Sequence, residues 1–297
     1  MIHAAHPSAI HPSNPGVSQI VSQDTQLSVK FWGVRGSVPT PIASNQRYGG
    51  NTACVEVQLG EQRIIFDAGT GLVELGQHLQ AEGKPVDAHI FFTHTQWDRI
   101  QGFPFFQPAF TEGNRFSVYG GTAPNGASIK HCLTDQMLQP HFSMPLQHMR
   151  AQLTFQTLTA NTRFNIGEVL VETICTNPVT QAFGYRLTWK DYTLVYATDT
   201  PTECVDSGLL AFVDQADLLI YDGTYSDLGY LHNTAAGEGL QPWEIGLDIV
   251  QKASIKELAL LHHSPVQSDD ILDQLQRDMR DRFKNTNVAY EGMVVSR

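Results

Sequence analysis

The segment Phe91-Phe92-Thr93-His94-Thr95-Gln96-Trp97-Asp98-Arg99-Ile100-Gln101-Gly102 leaves an apolar, strand-like run and enters a helix, bringing an imidazole, a carboxylate and a guanidinium close together. Imidazole and carboxylate are ligands that a borderline ion such as zinc accepts, and an ion so held can activate water for hydrolysis. Taken singly, His94 reads equally well as a satisfied strand-end histidine, and Asp98 as a helix-cap or ion-pair residue. Arg99 stays protonated at any physiological pH and cannot be a ligand. Elsewhere in the chain, Asp67, Asp199 and the pair His262-His263 each follow a short apolar run, where strand ends present side chains.

The elements that must position these residues are short β-rich runs punctuated by Gly, Pro and Asn. Leu27–Trp32, Cys54–Leu59, Arg63–Phe66 and His89–Thr93 read as strands, followed by Arg115–Tyr119, Val169–Ile174, Phe183–Thr188, Thr193–Tyr196, Leu218–Tyr221 and Glu257–Leu261. Helical spacing of apolar residues predicts helices over Gly71–Leu79, Asp206–Val213, Pro242–Ala253 and Asp269–Phe283. Strands arrive in meandering groups with helices after each group, the order expected of two sheets with helices outside them. Residues 1–26 are rich in Pro, Ser, His and Ala without periodicity and read as a tail, with His3, His6 and His11 as solvated side chains. Residues 27–297 read as one domain.

A chain of 297 residues with 41% hydrophobic and 16% charged residues can bury a large core. Thirty acidic residues against 19 basic ones give a formal charge of −11, so a nucleic-acid partner is disfavoured for want of a basic face. Cys54, Cys132, Cys175 and Cys204 lie far apart and form no C-x-x-C pair, which argues against a disulfide framework or a zinc ribbon and for a reducing, cytoplasmic compartment. No apolar run has the length of a membrane span, and the start of the chain lacks the order of a secretion signal.

The His94–Arg99 segment resembles the H-x-H-x-D-H signature of the metallo-β-lactamase superfamily. Gly33-Val34-Arg35-Gly36-Ser37-Val38-Pro39-Thr40 and Tyr48-Gly49-Gly50-Asn51-Thr52 resemble the opening segments of its ribonuclease Z and phosphodiesterase branch. Phe66-Asp67-Ala68-Gly69-Thr70-Gly71 is similar to the family's Asp-x-Gly turn, Tyr196-Ala197-Thr198-Asp199-Thr200 to the strand ending in the metal-bridging aspartate, and Leu260-Leu261-His262-His263-Ser264-Pro265 to the last ligand loop. The resemblance implies an α/β fold, the four-layer αββα sandwich. It assigns His94, Asp98, Asp199 and His262 to ligand positions, with Asp67 and His263 supporting the ligands from behind. In the family two ions about 3.5–4 Å apart perform the hydrolysis.

This chain departs from that pattern at four places. Gln96 and Arg99 stand where the family has histidines. Thr176-Asn177-Pro178-Val179-Thr180-Gln181, where a third ligand histidine is expected, contains none, and Leu240, Gln241 and Pro242 precede Trp243-Glu244 where a further one is often found. Cys175, near the lost third ligand, reads as a small apolar residue. Phe103, Phe105, Phe106 and Phe110 fit either a ligand pocket or plain packing. One site would keep only His94 and Asp199, the other Asp98, Asp199 and His262, against the usual minimum of three protein ligands for a catalytic zinc. The expectation is a pseudoenzyme without a cofactor, binding an unidentified protein or small molecule; a homo-oligomer is left open. The alternative is a phosphodiesterase-like hydrolase that keeps one Zn, Mn or Fe ion at low occupancy, with Asp98 in the catalytic role. Asp98 and Asp199 are expected to face each other, with Arg99 between them in place of metal.

Overall fold

Alternation makes the strands. In β1 (Leu27–Gly33) the residues Leu27, Val29 and Phe31 are buried on one face while Ser28 and Lys30 are half-buried on the other, the period-two pattern of a sheet with unlike faces. The computed structural model describes residues 27–201, 207–223 and 242–297. The tail 1–26, with its three histidines, lies outside the described residues, as do Cys204, Asp206, Leu240 and Gln241.

Two mixed seven-stranded sheets form the middle layers. The first joins β1 to β2 (Cys54–Leu59), β3 (Gln62–Phe66), β4 (Asp87–Phe92), β5 (Arg115–Gly120) and β6 (Gln152–Thr157), with β14 (Val294–Ser296) on the far side of β1. The second runs from β7 (Arg163–Ile166) through β8 (Val169–Asn177), β9 (Ala182–Trp189), β10 (Tyr192–Ala197), β11 (Leu218–Asp222) and β12 (Leu258–Leu261) to β13 (Thr286–Val288). In each sheet an antiparallel meander gives way to a parallel run, β3 to β6 and β10 to β13. Parallel neighbours need crossovers, and the crossovers supply the outer layers. Helices α1 (Gly71–Ala81), α2 (Trp97–Ile100) and α3 (Ile129–Asp135) belong to the first half; α4 (Ser207–Val213), α5 (Pro242–Lys252) and α6 (Asp269–Arg282) to the second. The four-layer expectation is met. No described helix is long and apolar enough to cross a membrane.

An aromatic column holds the sheets together. Phe66 of β3 stacks on Tyr196 of β10 with centroids 4.6 Å apart and planes 4° from parallel, and Tyr185 of β9 contacts both Phe66 and Phe91. These rings lie in the inter-sheet core with Phe31, Leu194, Ile220 and Leu261, while separate clusters fill the space under each helical layer. Of the aromatic series around Pro104, Phe103 and Phe106 are fully buried packing residues and Phe105 is exposed against Phe142.

The ends of β3 and β4 are tied at Gly69 and Gly102. A Cβ on Gly102 would lie 2.0 Å from the Gly69 carbonyl oxygen, so the turn after α2 and the turn after β3 touch backbone to backbone. Gly102→Ala should therefore cost about 1–3 kcal/mol through forced separation of these turns, read as a lowered urea midpoint with an unchanged slope. An unshifted midpoint would show that the two turns are not held together.

Candidate functional site

The side chains with chemistry converge where the parallel strands end. Asp67 follows β3, Thr93 and His94 follow β4, Asp199 follows β10, Asp222 ends β11 and His262 follows β12. In α/β sheets this carboxyl edge is the usual place for a ligand. Three of these residues leave their strands in the left-handed backbone region, Asp67 at φ 58°, Asp199 at φ 53° and His262 at φ 63°. Non-glycine residues held there carry strain that surrounding contacts must sustain.

Arg99 occupies the centre. It is fully buried, with Nη1 3.0 Å from Asp67 Oδ2 and Nε 3.3 Å from Asp98 Oδ2, and Nη2 reaches Asp222 Oδ1 at 3.5 Å. Nη1 also donates to the Tyr196 hydroxyl at 3.3 Å, and that hydroxyl donates to Asp67 Oδ2 at 3.0 Å. Asp67 further accepts the Thr93 backbone N–H at 2.8 Å and the Thr93 hydroxyl at 2.9 Å, so both its oxygens are saturated. The surrounding carboxylates hold the Arg99 pKa well above its ordinary value despite complete burial.

The expected contact of Arg99 with Asp199 does not form. Asp199 turns to the loop that lacks the third histidine, accepting from the Thr180 hydroxyl and from Asn177 Nδ2 at 3.4 Å, while its own backbone N–H donates to Asp222 Oδ2 at 2.6 Å. No hydrogen bond or ion pair joins Asp98 to Asp199 among the described residues. The left-handed turn at Asp199 accounts for this, because it directs the carboxylate toward Thr180 and leaves Asp222 to face Arg99. Nor does Asp98 cap a helix; Gln96 holds that position, and the Asp98 carboxylate accepts the His262 Nε2–H at 2.9 Å and the Ser37 N–H at 3.4 Å.

Burial alone would raise the Asp98 pKa, but the hydrogen bond from His262 and the Arg99 charge outweigh it and hold the carboxyl below the usual aspartate range. Burial and Arg99 push the His262 imidazole down, yet Asp222 and the bond to Asp98 prevail and raise it. Gly36 makes room for this histidine, since a Cβ there would lie 2.4 Å from the ring. His263 faces the other way: its Nε2–H donates to the Ala289 carbonyl at 2.7 Å, and burial lowers its pKa to about 3, so it stays neutral. Cys175 is a half-buried thiol on β8 opposite Phe183.

These residues do not fit a metal. Both ring nitrogens of His94 are engaged, Nδ1 3.0 Å from the Thr93 hydroxyl and Nε2 2.9 Å from Gln96 Oε1. A guanidinium between the carboxylates repels a divalent ion and takes up the lone pairs that an ion would need. Among the described residues no group of three or more His, Cys, Asp or Glu side chains is arranged to hold an ion. The space beside His94, lined by Phe92, Thr95, Ile129 and Thr180, measures about 10 Å³, the room of a single water. Asp222, Tyr196 and Thr180 join the site beyond the residues that the family pattern assigns, and the run Leu218-Leu219-Ile220-Tyr221-Asp222, apolar and closed by a carboxylate, carries the same sequence signal as Asp67.

The family model described as "Beta-lactamase superfamily domain" matches residues 7–263. Among curated proteins, the ribonuclease Z of Alkaliphilus oremlandii is 20% identical over 322 aligned residues, covering 90% of this chain and 97% of its own. Among solved structures, the metallo-beta-lactamase fold protein YhfI of Bacillus subtilis is 20% identical with a TM-score of 0.64, covering 91% of this chain and 99% of that one. The short form of human tRNase Z is 17% identical with a TM-score of 0.61, covering 91% and 98%. A diphosphatase of the PhnP family is 14% identical with a TM-score of 0.65, covering 91% and 97%.

Arg99→Ala should destabilise the fold by about 3–5 kcal/mol at pH 7, since it strands buried carboxylates. The contribution of Asp98, whose pKa is lowered in the fold, is complete above its ordinary value of 3.8 and fades as pH falls below it. The gap between the two proteins in urea unfolding should narrow as pH falls, starting where the stranded carboxylates of the variant take up protons, and equal midpoints at pH 7 would exclude the pairing. His262 behaves oppositely. With a raised pKa, its bond to Asp98 contributes fully below the ordinary value of 6.5 and is lost as pH rises through the folded value. The destabilisation by His262→Gln should accordingly be larger at about pH 6 than at about pH 9, and a pH-independent difference would refute it.

Proposed function

The chain belongs to the beta-lactamase superfamily, and from that premise we propose that it is a pseudoenzyme: a member that keeps the sandwich, performs no metal-dependent hydrolysis and serves a binding or regulatory role. The observation that carries this reading is the sealed guanidinium of Arg99 against Asp67, Asp98 and Asp222. A hydrolytic site of this family needs two ions, or at least one with an open coordination position, and a place for the reacting phosphoryl group. Here the charge that ions would supply is built into the chain, and the imidazole of His94 is engaged at both nitrogens.

A second reading has one specific observation in its favour. Asp98 Oδ1 is buried without a hydrogen-bond partner among the described residues, an acceptor that a single Zn, Mn or Fe ion held with Asp199 and His262 would satisfy. Under that reading the chain is a phosphodiesterase-like hydrolase, in keeping with its similarity to proteins named ribonuclease Z and to a diphosphatase. The ion would then have to displace Arg99 from Asp98, against the attraction of two further carboxylates.

Protein purified without chelator decides between them. The expected outcome is substoichiometric metal by elemental analysis, no heat of binding on titration with zinc or manganese, and no hydrolysis of bis(p-nitrophenyl) phosphate above background. A turnover of about one per second or more, lost on chelation, would overturn the pseudoenzyme reading. Rebuilding the signature by Gln96→His with Arg99→His should give measurable zinc affinity without turnover, because the Asn177–Gln181 loop still offers Thr180 and Asn177 in place of an imidazole. Robust activity of that double variant would show that the loop was never limiting.

A further inference from the structure

On the face of β1 that looks toward α1, a recess of about 290 Å³ opens between the first turn of α1, the loop at residues 46–49 and the turn ahead of β14. Its walls carry Lys30, Trp32, Arg47, Gly49, Glu74 and Glu291, and it shares no residue with the Arg99 cluster. The volume is at the lower end of small-molecule sites, which run from about 300 Å³ upward. Its charged groups are held apart from one another. Trp32 is buried and its indole N–H donates to Glu56 Oε2 at 2.9 Å, which fixes the ring; Lys30 Nζ lies 3.5 Å from the ring centroid, a cation–π contact that keeps the ammonium at the wall. Glu56, opposite Lys30 on β2, faces Arg63 Nε with its other oxygen at 3.1 Å.

Glu291 is pinned by Asn51, whose backbone N–H donates to Oε1 at 2.5 Å and whose Nδ2 donates to Oε2 at 3.3 Å. Gly49 leaves it room, since a Cβ there would lie 2.1 Å from the Glu291 carboxyl carbon. Burial lowers the Lys30 pKa and raises that of Glu291, and the Glu74 charge acts on both, which places the three groups around one space. The Arg47 charge is already met, because Nη2 bonds Asp270 at 2.8 Å and Asp273 at 2.7 Å. Neither Lys30, Glu74 nor Glu291 has an ion-pair partner among the described residues, so the recess presents one positive and two negative charges unmet. We infer that the recess binds a free basic α-amino acid, whose carboxylate meets Lys30 and whose two cationic groups are shared between Glu291 at the wall and Glu74 at the rim. An anion would face two carboxylates, a diamine would face Lys30 with nothing to answer it, and a neutral ligand would leave all three charges unmet. A ligand with one anionic and two cationic groups matches the count. Such binding stands whether or not the Arg99 site hydrolyses a substrate.

Isothermal titration of the full chain at about pH 7 and low salt, with L-arginine and L-lysine as probes, tests the proposal. The expected result is one molecule bound per chain with a Kd below about 1 mM. Citrulline, which keeps the amino-acid end and has no side-chain charge, and agmatine, which keeps both cationic groups and has no carboxylate, should each bind about tenfold or more weakly than arginine. Lys30→Met keeps an apolar stem on Trp32 and should remove the preference for arginine over agmatine. Glu74→Gln, at an exposed position in the first turn of α1, should remove the preference for arginine over citrulline. A substitution that only disturbed the fold would weaken all three ligands alike, and circular dichroism with thermal unfolding checks that each variant retains it. No heat with arginine or lysine up to about 10 mM overturns the proposal. Equal affinity of the wild-type chain for arginine, citrulline and agmatine does the same, as do variants that leave both preferences intact.

Discussion

A guanidinium sealed from water must have its charge met by its neighbours, and the neighbours of Arg99 come from elements far apart in the chain. Asp67 ends one strand of the first sheet, Asp98 sits beside Arg99 in α2, and Asp222 ends a strand of the second sheet. Removing either sign from such a set leaves the other uncompensated in a medium where charge is costly. The pairing therefore constrains the start of α2, the turns after β3 and β4, and the approach of the two sheets at their carboxyl edge. Tyr196 extends the constraint into the core, since the ring that stacks on Phe66 carries the hydroxyl that bridges Arg99 and Asp67.

Scaffold and site are separable in this molecule. The sandwich rests on alternating strands and on an aromatic column between sheets, and of that column Tyr196 is the ring bonded to the charged groups at the strand ends. Arg35, from the loop after β1, shows how the surrounding loops are held: fully buried, it donates to the Gly49 carbonyl at 2.7 Å and the Gln267 carbonyl at 2.7 Å and faces Asp269, pinning segments from both halves of the chain. A site so framed can lose its ligands one by one while the frame persists.

Most of the fold was legible because long buried strands write a clear alternation. Cys54–Leu59 has the predicted bounds, and the other predicted strands begin and end within a few residues of their predicted limits. The elements that were not legible are those whose residues see little burial or are very short: β6 alternates exposed and half-buried, β7 has four residues, β13 and β14 have three each, and α3 has seven. At the site, the burial of Arg99 and its part in neutralising carboxylates were foreseeable from its place in the motif. The identity of the carboxylates was not. Asp199 and Asp222 both end apolar strands, and only the backbone turn at Asp199 decides which of them faces Arg99.

The left-handed turns at Asp67, Asp199 and His262 have a further effect. Glycine would adopt such angles without strain, whereas each of these residues is held by its own side chain, Asp67 by Thr93 and Arg99, Asp199 by Thr180, His262 by Asp98. A turn fixed through both backbone and side chain has few alternative conformers. These three turns at the carboxyl edge are thus held by contacts within the chain.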